Sequence, residues 1–484
     1  MPSRVVHCPP DPAVVAGFRR IRDQLDVPAA FSPDVVAAAD RSRAAGPQIP
    51  PGASNAVRNA TDIPFVAIDP PGSRDLDQAF AAEPHGNGHR VFYAIADVAA
   101  LVPPGGLVDL EARARGVTLY SPDLRTSLHP ESINEDAGSL LTGQERQALL
   151  WTIDLDDAGE VIDAHLERAR VINTAQLTYA DAQTMIDGGA ASPSLALLRT
   201  IGEQRIEQER RRGAVSLALP AQEVVRGDDG AYQLEYDVSL VVEDWNAQIS
   251  LLTGIAASHI MLDAGVGILR TLPEPEPETI DQIRRTARAL GVEWPDDVGY
   301  AERVRRLRPD TPARAALLSQ AARGLRGAGY VAFEGHDVPA DPLHSAIAST
   351  YAHVTAPLRR LCDRFANEIV LAHCAMHEPP TWAVEALDEL PGLMGAASQR
   401  DRNLESAVVD YVEAVVLEPR VGEEFRAVVT DVDAERNRGR LQLADPAVVA
   451  RIPATGLTLG SEVTVRLDRA DPIERSVGFS LVSA

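Results

Sequence analysis

The chain has 484 residues, 45% of them hydrophobic, and a formal net charge of −24. That length allows several domains and a large core, and the acidic balance argues against a surface that binds polyanions non-specifically. No run is long enough to span a membrane and no basic-then-apolar leader opens the chain. Cys8, Cys362 and Cys374 are too scattered for a disulfide framework, so the reading is a cytoplasmic, reduced protein. Every basic residue is Arg, so a phosphate contact falls to a planar guanidinium suited to bidentate recognition. The local clusters Arg210 to Arg212, Arg303 to Arg308, and Arg359, Arg360 and Arg364 each read first as solvated helix faces.

Residues 1–60 are rich in Ala and Pro, with helical patterns over Ala16–Leu25 and Pro33–Ser42 followed by a linker. The segment FVAIDPPGSRDLDQAF, residues 65–80, predicts a strand from Phe65 to Ile68 that ends on Asp69. A Pro-Pro-Gly-Ser turn follows, then a second strand with Asp75 and Asp77 on one face and Leu76 on the other. Carboxylates gathered so closely repel unless a cation sits between them, and a hard ion held by oxygen, Mg²⁺ or Mn²⁺, is the natural partner. A solvated acidic turn is the other reading of these residues alone. Arg90–Val98 follows a Gly-Asn-Gly turn and should fold back as a hairpin, leaving Asp97 near a strand end as a candidate supporting carboxylate.

From about 176 to 417 the pattern is mainly helical, over Leu195–Arg212, Ala247–Leu262, Glu278–Leu290, Ala313–Leu325, Pro357–His377 and Met394–Leu417. SLALP and YQLEY read as strands between the first two. Thr355-Ala356-Pro357 predicts a helix start with Pro at the first position, which puts Arg359, Arg360 and Asp363 in the opening turns. His373 and His377 have the spacing of a helical metal pair but lack the Glu of a zinc-protease motif, and Cys362 and Cys374 read as core. The tail, 418–484, alternates short strand patterns with turns and suits a small OB-like β-barrel.

FVAIDPPGSRDLDQAF resembles the signature of the ribonuclease II (RNB) family, whose Asp-x5-Asp-x-Asp-Asp binds magnesium, and YAHVTAPLRRLCD resembles that family's Tyr-x-His-x-Thr-Ser-Pro-Ile-Arg-Arg motif. YAIADVAALVPPGGLVDLEARARGVTLYSPD, SLLTGQERQAL, RRRGAVSLALP, VVEDWNAQIS and RNLESAVVDYV match further family segments in the same order. The resemblance covers about residues 60–417 and implies an α+β fold: an RNB catalytic domain over 61–417, a mixed sheet surrounded by helices, after a helical extension over 1–60 and before the barrel. It implies a hydrolytic 3′→5′ exoribonuclease that uses Mg²⁺ or Mn²⁺ on single-stranded RNA and releases nucleoside 5′-monophosphates. By position it implies metal ligands at Asp69, Asp75, Asp77 and Gln78, with Asp77 and Arg359 catalytic. RNA contacts are implied at Tyr120, which stacks on the terminal base, and at Glu243, His353, Arg360 and Glu405.

The sequence also departs from the family. Gln78 stands where the fourth aspartate belongs, Ala356 replaces the motif Ser and Leu358 its Ile, and no cold-shock domain is visible in residues 1–60. The expectation is a short bacterial form, acting as a monomer, whose RNA binding is confined to an Arg-lined channel. A catalytically impaired RNB protein that binds RNA or a partner is the alternative, and Gln78 is what favours it.

Overall fold

The computed structural model describes residues 12–483 apart from 55, 216–221, 227–231, 237–238, 296, 309–310, 336–337, 434 and 444. Cys8 and the expected SLALP strand lie outside these residues. The larger part is a mixed α+β unit on a six-stranded sheet. Its strands run in the order Arg58–Asn59, Val161–Leu177, Phe65–Ile68, Gln78–His85, Gly88–Ala96 and Glu145–Leu155, and the last pairs again with Val161–Leu177. That 17-residue strand reaches both neighbours because its first part pairs antiparallel with Glu145–Leu155 and its last part runs parallel to Phe65–Ile68. The hydrogen-bonded ladder therefore closes into a ring.

The period-two alternation of the strands decides what each face buries. Val66, Ile68, Phe80, Tyr93, Ile95 and Trp151 face a core shared with the helices. Their neighbours Phe65, Ala67, Ala79, Ala81, Ala94 and Ala148 pack together on the opposite face, and the prevalence of Ala there fits the crowded interior of a closed ring. Burying one large side chain such as Trp151 stabilises by about 1.5–3 kcal/mol, which ties the two layers. Helices Pro193–Arg212 and Val241–Ala264 cover the first face. Ser192 caps the former, with Pro193 at its first position, and the Ser194 hydroxyl accepts the Ala82 N–H at 2.8 Å, pinning helix to sheet.

The hairpin of Gln78–His85 with Gly88–Ala96 forms as expected. Two boundaries at the acidic loop and the Arg motif differ from expectation. Asp75, Leu76 and Asp77 precede the strand rather than lying in it, because the Leu76 N–H donates to Ser139 Oγ and its carbonyl accepts from Leu140 N. The helix expected from Pro357 starts at Leu361, because the amides of Ala356 and Leu358 donate to Asp363 and Asp77. That helix ends at Cys374, so His377 lies beyond it, and His373 faces Asp263. Asp97 does not support the acidic loop: its carboxylate accepts from Gln147 and Arg168, each at 2.9 Å, and Arg168 also binds Glu368 in a buried cross-link.

Helix Leu390–Leu417 leads into an antiparallel five-stranded OB-like half-barrel over Glu424–Ser483. The tail patterns EEFRAVVTDVD, GRLQLADP, SEVTVRLDRAD and SVGFSLVSA each form a strand, and Val449–Ile452 is a fifth, too short between two prolines to carry a pattern. Helix Pro12–Gln24 lies against the long helix, with Phe18 edge-on to Tyr411 at 5.4 Å between ring centroids.

Candidate active site

The acidic loop joins two neighbouring strands of the ring, so Asp69 leaves the end of one and Asp77 stands at the start of the next. The Asp69 N–H donates to the Leu177 carbonyl at 3.1 Å, which fixes the loop to the long strand. Asp77 is buried. Its Oδ1 accepts the Leu358 N–H at 2.7 Å, and its Oδ2 lies 3.5 Å from Arg359 Nε. The two motifs far apart in sequence therefore meet at this carboxylate.

Arg359 sits in the turn before helix Leu361–Cys374 with its side chain 33% exposed. Beside it, the Arg359 carbonyl accepts the Thr118 N–H at 2.9 Å and Arg360 bridges Val117, so the chain reaching Tyr120 runs along the Arg turn. Gly116, whose carbonyl accepts the Leu361 N–H at 3.0 Å, lets the same segment pass close under the long helix: its φ of 75° suits glycine, and a Cβ there would stand 2.5 Å from Ala397 Cβ. Tyr120 pairs across a short hairpin with Arg125, whose guanidinium binds both Asp75 and Glu135. Burial raises the Tyr120 phenol to about 12, against the pull of Arg359, so it stays neutral.

Burial also pushes Asp69 up to about 7, opposed by Arg359 and reinforced by Asp75. The same causes, burial first, hold Asp77 well above the usual carboxylate range, with Asp363 adding to the effect. Asp69 and Asp77 thus have too little positive charge around them, which is the deficit a divalent cation corrects. The oxygen-only donor set fits Mg²⁺ or Mn²⁺.

Gln78 is spent differently. Its Nε2 donates to the Thr355 carbonyl at 2.6 Å, and its Oε1 accepts the Tyr93 hydroxyl at 2.6 Å. Tyr93 in turn meets Ser250 Oγ at 2.9 Å. The amide ties the sheet to the Arg motif, and its oxygen already has a donor.

Of the expected RNA contacts, Arg360 closes its fork on Asp363 at 3.0 and 2.8 Å, and His353 Nδ1 pairs with Tyr330 OH at 2.8 Å. Burial, then Arg360 and Arg270, hold the His353 imidazole well below its usual range, so it is neutral. His353, Cys362 and Asp363 lie close enough to suggest a metal group, but the Asp363 carboxylate is already taken by Arg360 and by the Ala356 N–H. Glu243 stands in the first turn of its helix and accepts the Leu240 N–H at 3.1 Å. It acts through space on Tyr179, which also feels Asp69 and Arg359. Glu405 is exposed on the long helix next to Leu404, and Leu404 shares a cluster with Leu119, the neighbour of Tyr120. Arg125, Tyr93, Tyr179 and Ser250 were not among the expected residues; Tyr93 and Ser250 fall inside matched segments that do not single them out, and only the closure of the fold brings all four to the loop.

The RNB domain family matches residues 57–375, and the RNase II-type exonuclease C-terminal S1 domain matches residues 423–482. Exosome complex exonuclease RRP44 homolog A of Arabidopsis thaliana is 27% identical over 380 residues, 75% of this chain and 40% of that protein. Ribonuclease R of Escherichia coli is 23% identical over 471 residues, 87% of this chain and 57% of that protein. The chain thus spans less than two thirds of the length of either relative. In structure, Mycoplasma genitalium RNase R in complex with ribose methylated single-stranded RNA gives a TM-score of 0.85 at 17% identity, over 97% of this chain and 78% of that one. Yeast Ssd1, a pseudonuclease, gives 0.69 at 15% identity, over 94% and 57%. At these identities the likeness carries the fold alone. The family matches carry more, and with the fold they establish that the chain belongs to the RNB-domain family of the ribonuclease II and R type, with a C-terminal S1 domain.

Proposed function

We propose that the protein is a metal-dependent hydrolytic 3′→5′ exoribonuclease that degrades or trims single-stranded RNA to nucleoside 5′-monophosphates. The observation that carries this reading is the meeting of Asp77 with Leu358 and Arg359, which sets a guanidinium beside a buried carboxylate cluster. Asp69, Asp75 and Asp77 would hold Mg²⁺ or Mn²⁺, which when bound activates water and neutralises phosphate charge. Arg359, partly exposed, stabilises charge that develops on the scissile phosphate. Tyr120 offers a neutral π-face to the terminal base, a contact that tolerates any base. Glu243 and Glu405 line the RNA path near the 3′ end. His353 and Arg360, engaged with Tyr330 and Asp363, hold the Arg359 turn in place. A monomer working in the cytoplasm is part of the same proposal. Among the described residues no helix is long and apolar enough to cross a membrane.

The Gln78 tie supports a second reading, an RNB protein that holds RNA or a partner without cutting it. One assay separates the two: 5′-labelled single-stranded RNA with Mg²⁺, Mn²⁺ or a chelator, on the native chain and on Asp77→Asn. A ladder that needs metal and vanishes in the variant supports the nuclease. RNA that is bound but uncut with either metal leaves the second reading.

A further inference from the structure

The RNB match begins at residue 57, so nothing in it accounts for helices Pro12–Gln24 and Pro33–Ala45. These helices reach the reading end of the site by charge rather than by apolar contact alone. Arg22, in the last turn of the first helix, donates from both terminal nitrogens to Asp123, at 2.6 and 2.8 Å, and both side chains are 7% exposed. Asp123 lies at the tip of the hairpin that carries Tyr120 on one strand and Arg125 on the other. Arg43, in the last turn of the second helix, binds Asp136, the neighbour of Glu135. Between the helices, the Ala30 carbonyl accepts from Arg115 at 3.0 Å, and the same guanidinium reaches the Ser127 carbonyl at 3.1 Å. The ties land at 123, 127 and 136 and so bracket Arg125 and Glu135, the ends of the bridge that rests on Asp75.

A buried ion pair contributes little net stability over an apolar contact of the same volume, but it enforces one geometry. We infer that the N-terminal helical pair is a positioning element of the RNA site, with Arg22 setting, through Asp123, the hairpin that presents Tyr120 to the 3′-terminal base. This rests on the proposal that the site holds an RNA 3′ end, but not on its cutting one.

The test uses the full chain and a 2′-O-methylated RNA ending in 2-aminopurine, whose fluorescence falls when the base stacks. Arg22→Gln and Asp123→Asn cut the tie from either side; Tyr120→Ala removes the platform. The expected result is 3′-end quenching on the native chain, with affinity about threefold weaker and quenching reduced in either tie variant, and about tenfold weaker in Tyr120→Ala. A probe at the 5′ end is unmoved, and Arg22→Gln adds nothing once Tyr120 is Ala. Quenching unchanged in both tie variants overturns the inference, as does an equal further loss in the Tyr120→Ala background. Should both tie variants fail to fold, Arg43→Gln, at an exposed pair, must lower the same signal; if it does not, the inference falls. A native chain that binds this RNA but hydrolyses no unmodified RNA sinks the nuclease reading alone, and one that binds none sinks both.

Discussion

The backbone N–H of Leu358 donates to the Asp77 carboxylate at 2.7 Å across 281 residues of chain. This bond makes the acidic loop and the Arg motif a single site, and it accounts for the late start of the helix after Pro357. It also separates two roles of Asp77, as an acceptor for the fold and as a charge for the chemistry.

Asp77→Asn keeps the acceptor and removes the charge. Turnover on labelled RNA should drop by about two to three orders of magnitude. In chelator, the thermal midpoint should stay level or rise, because burial already disfavours the ionised carboxylate. A large fall in midpoint would mean that the charge, not the hydrogen bond, holds the motif together.

Asp69 gives a pH signature. Its carboxyl, pushed up mainly by burial, titrates near 7 in the fold against an ordinary 3.8. Between about pH 4 and 7 the folded state therefore keeps a proton that the unfolded chain releases, so this contribution to stability falls as pH rises through the window. His129, drawn down to about 4 by burial and Arg364, acts in the opposite sense over an overlapping window. The quantity to measure is thus the midpoint difference between the native chain and Asp69→Asn in chelator, which should shift against the native chain from pH 4 to 7. Added Mg²⁺ or Mn²⁺ should raise the native midpoint more at pH 8 than at pH 5. A difference that does not move with pH refutes the assignment.

Gln78→Asp tests the amide tie. The shorter side chain cannot span Tyr93 and Thr355, and leaving those groups unpaired should cost about 1–3 kcal/mol in chelator by urea unfolding. Metal should then stabilise the variant more than the native chain, because a carboxylate has been added beside Asp77. A variant as stable as the native chain in chelator would show that the tie contributes little.

Arg168 offers a control away from the chemistry. Arg168→Met leaves Asp97 and Glu368 buried without their shared cation and should cost about 3–5 kcal/mol. Glu368→Gln should be milder, since burial already lifts that carboxyl to about 7. Activity per folded molecule should be unchanged in both; a selective loss of activity would place this cross-link in the machinery.

The sequence made the acidic loop, the Arg turn and the tail strands legible because each is local: a motif or an alternation readable within a few residues. What stayed hidden depends on closure. Leu76 looks like strand, yet its backbone bonds go to Ser139 and Leu140. Gln78 looks like a weakened ligand, yet its amide is shared between Tyr93 and Thr355. Arg360 looks like a phosphate contact beside Arg359, but Asp363, three residues on, takes its fork. Each of these polar groups found a partner that only the folded ring supplies.

The closed ladder has a consequence for how the molecule breathes. Apart from the two-residue strand Arg58–Asn59, the ring has no edge strand to fray, so its amides should open mainly when the whole sheet does. Hydrogen exchange should therefore be slowest along Glu145–Leu155 and Val161–Leu177, and as slow at the strand residues that flank the acidic loop. The Pro70–Arg74 turn between them has no such ladder and should exchange early. The loop is then a short span, tied at Ser73 and Arg74 by the Gln176 and Ser139 side chains, hung between two posts that keep Asp69 and Asp77 where the ring puts them.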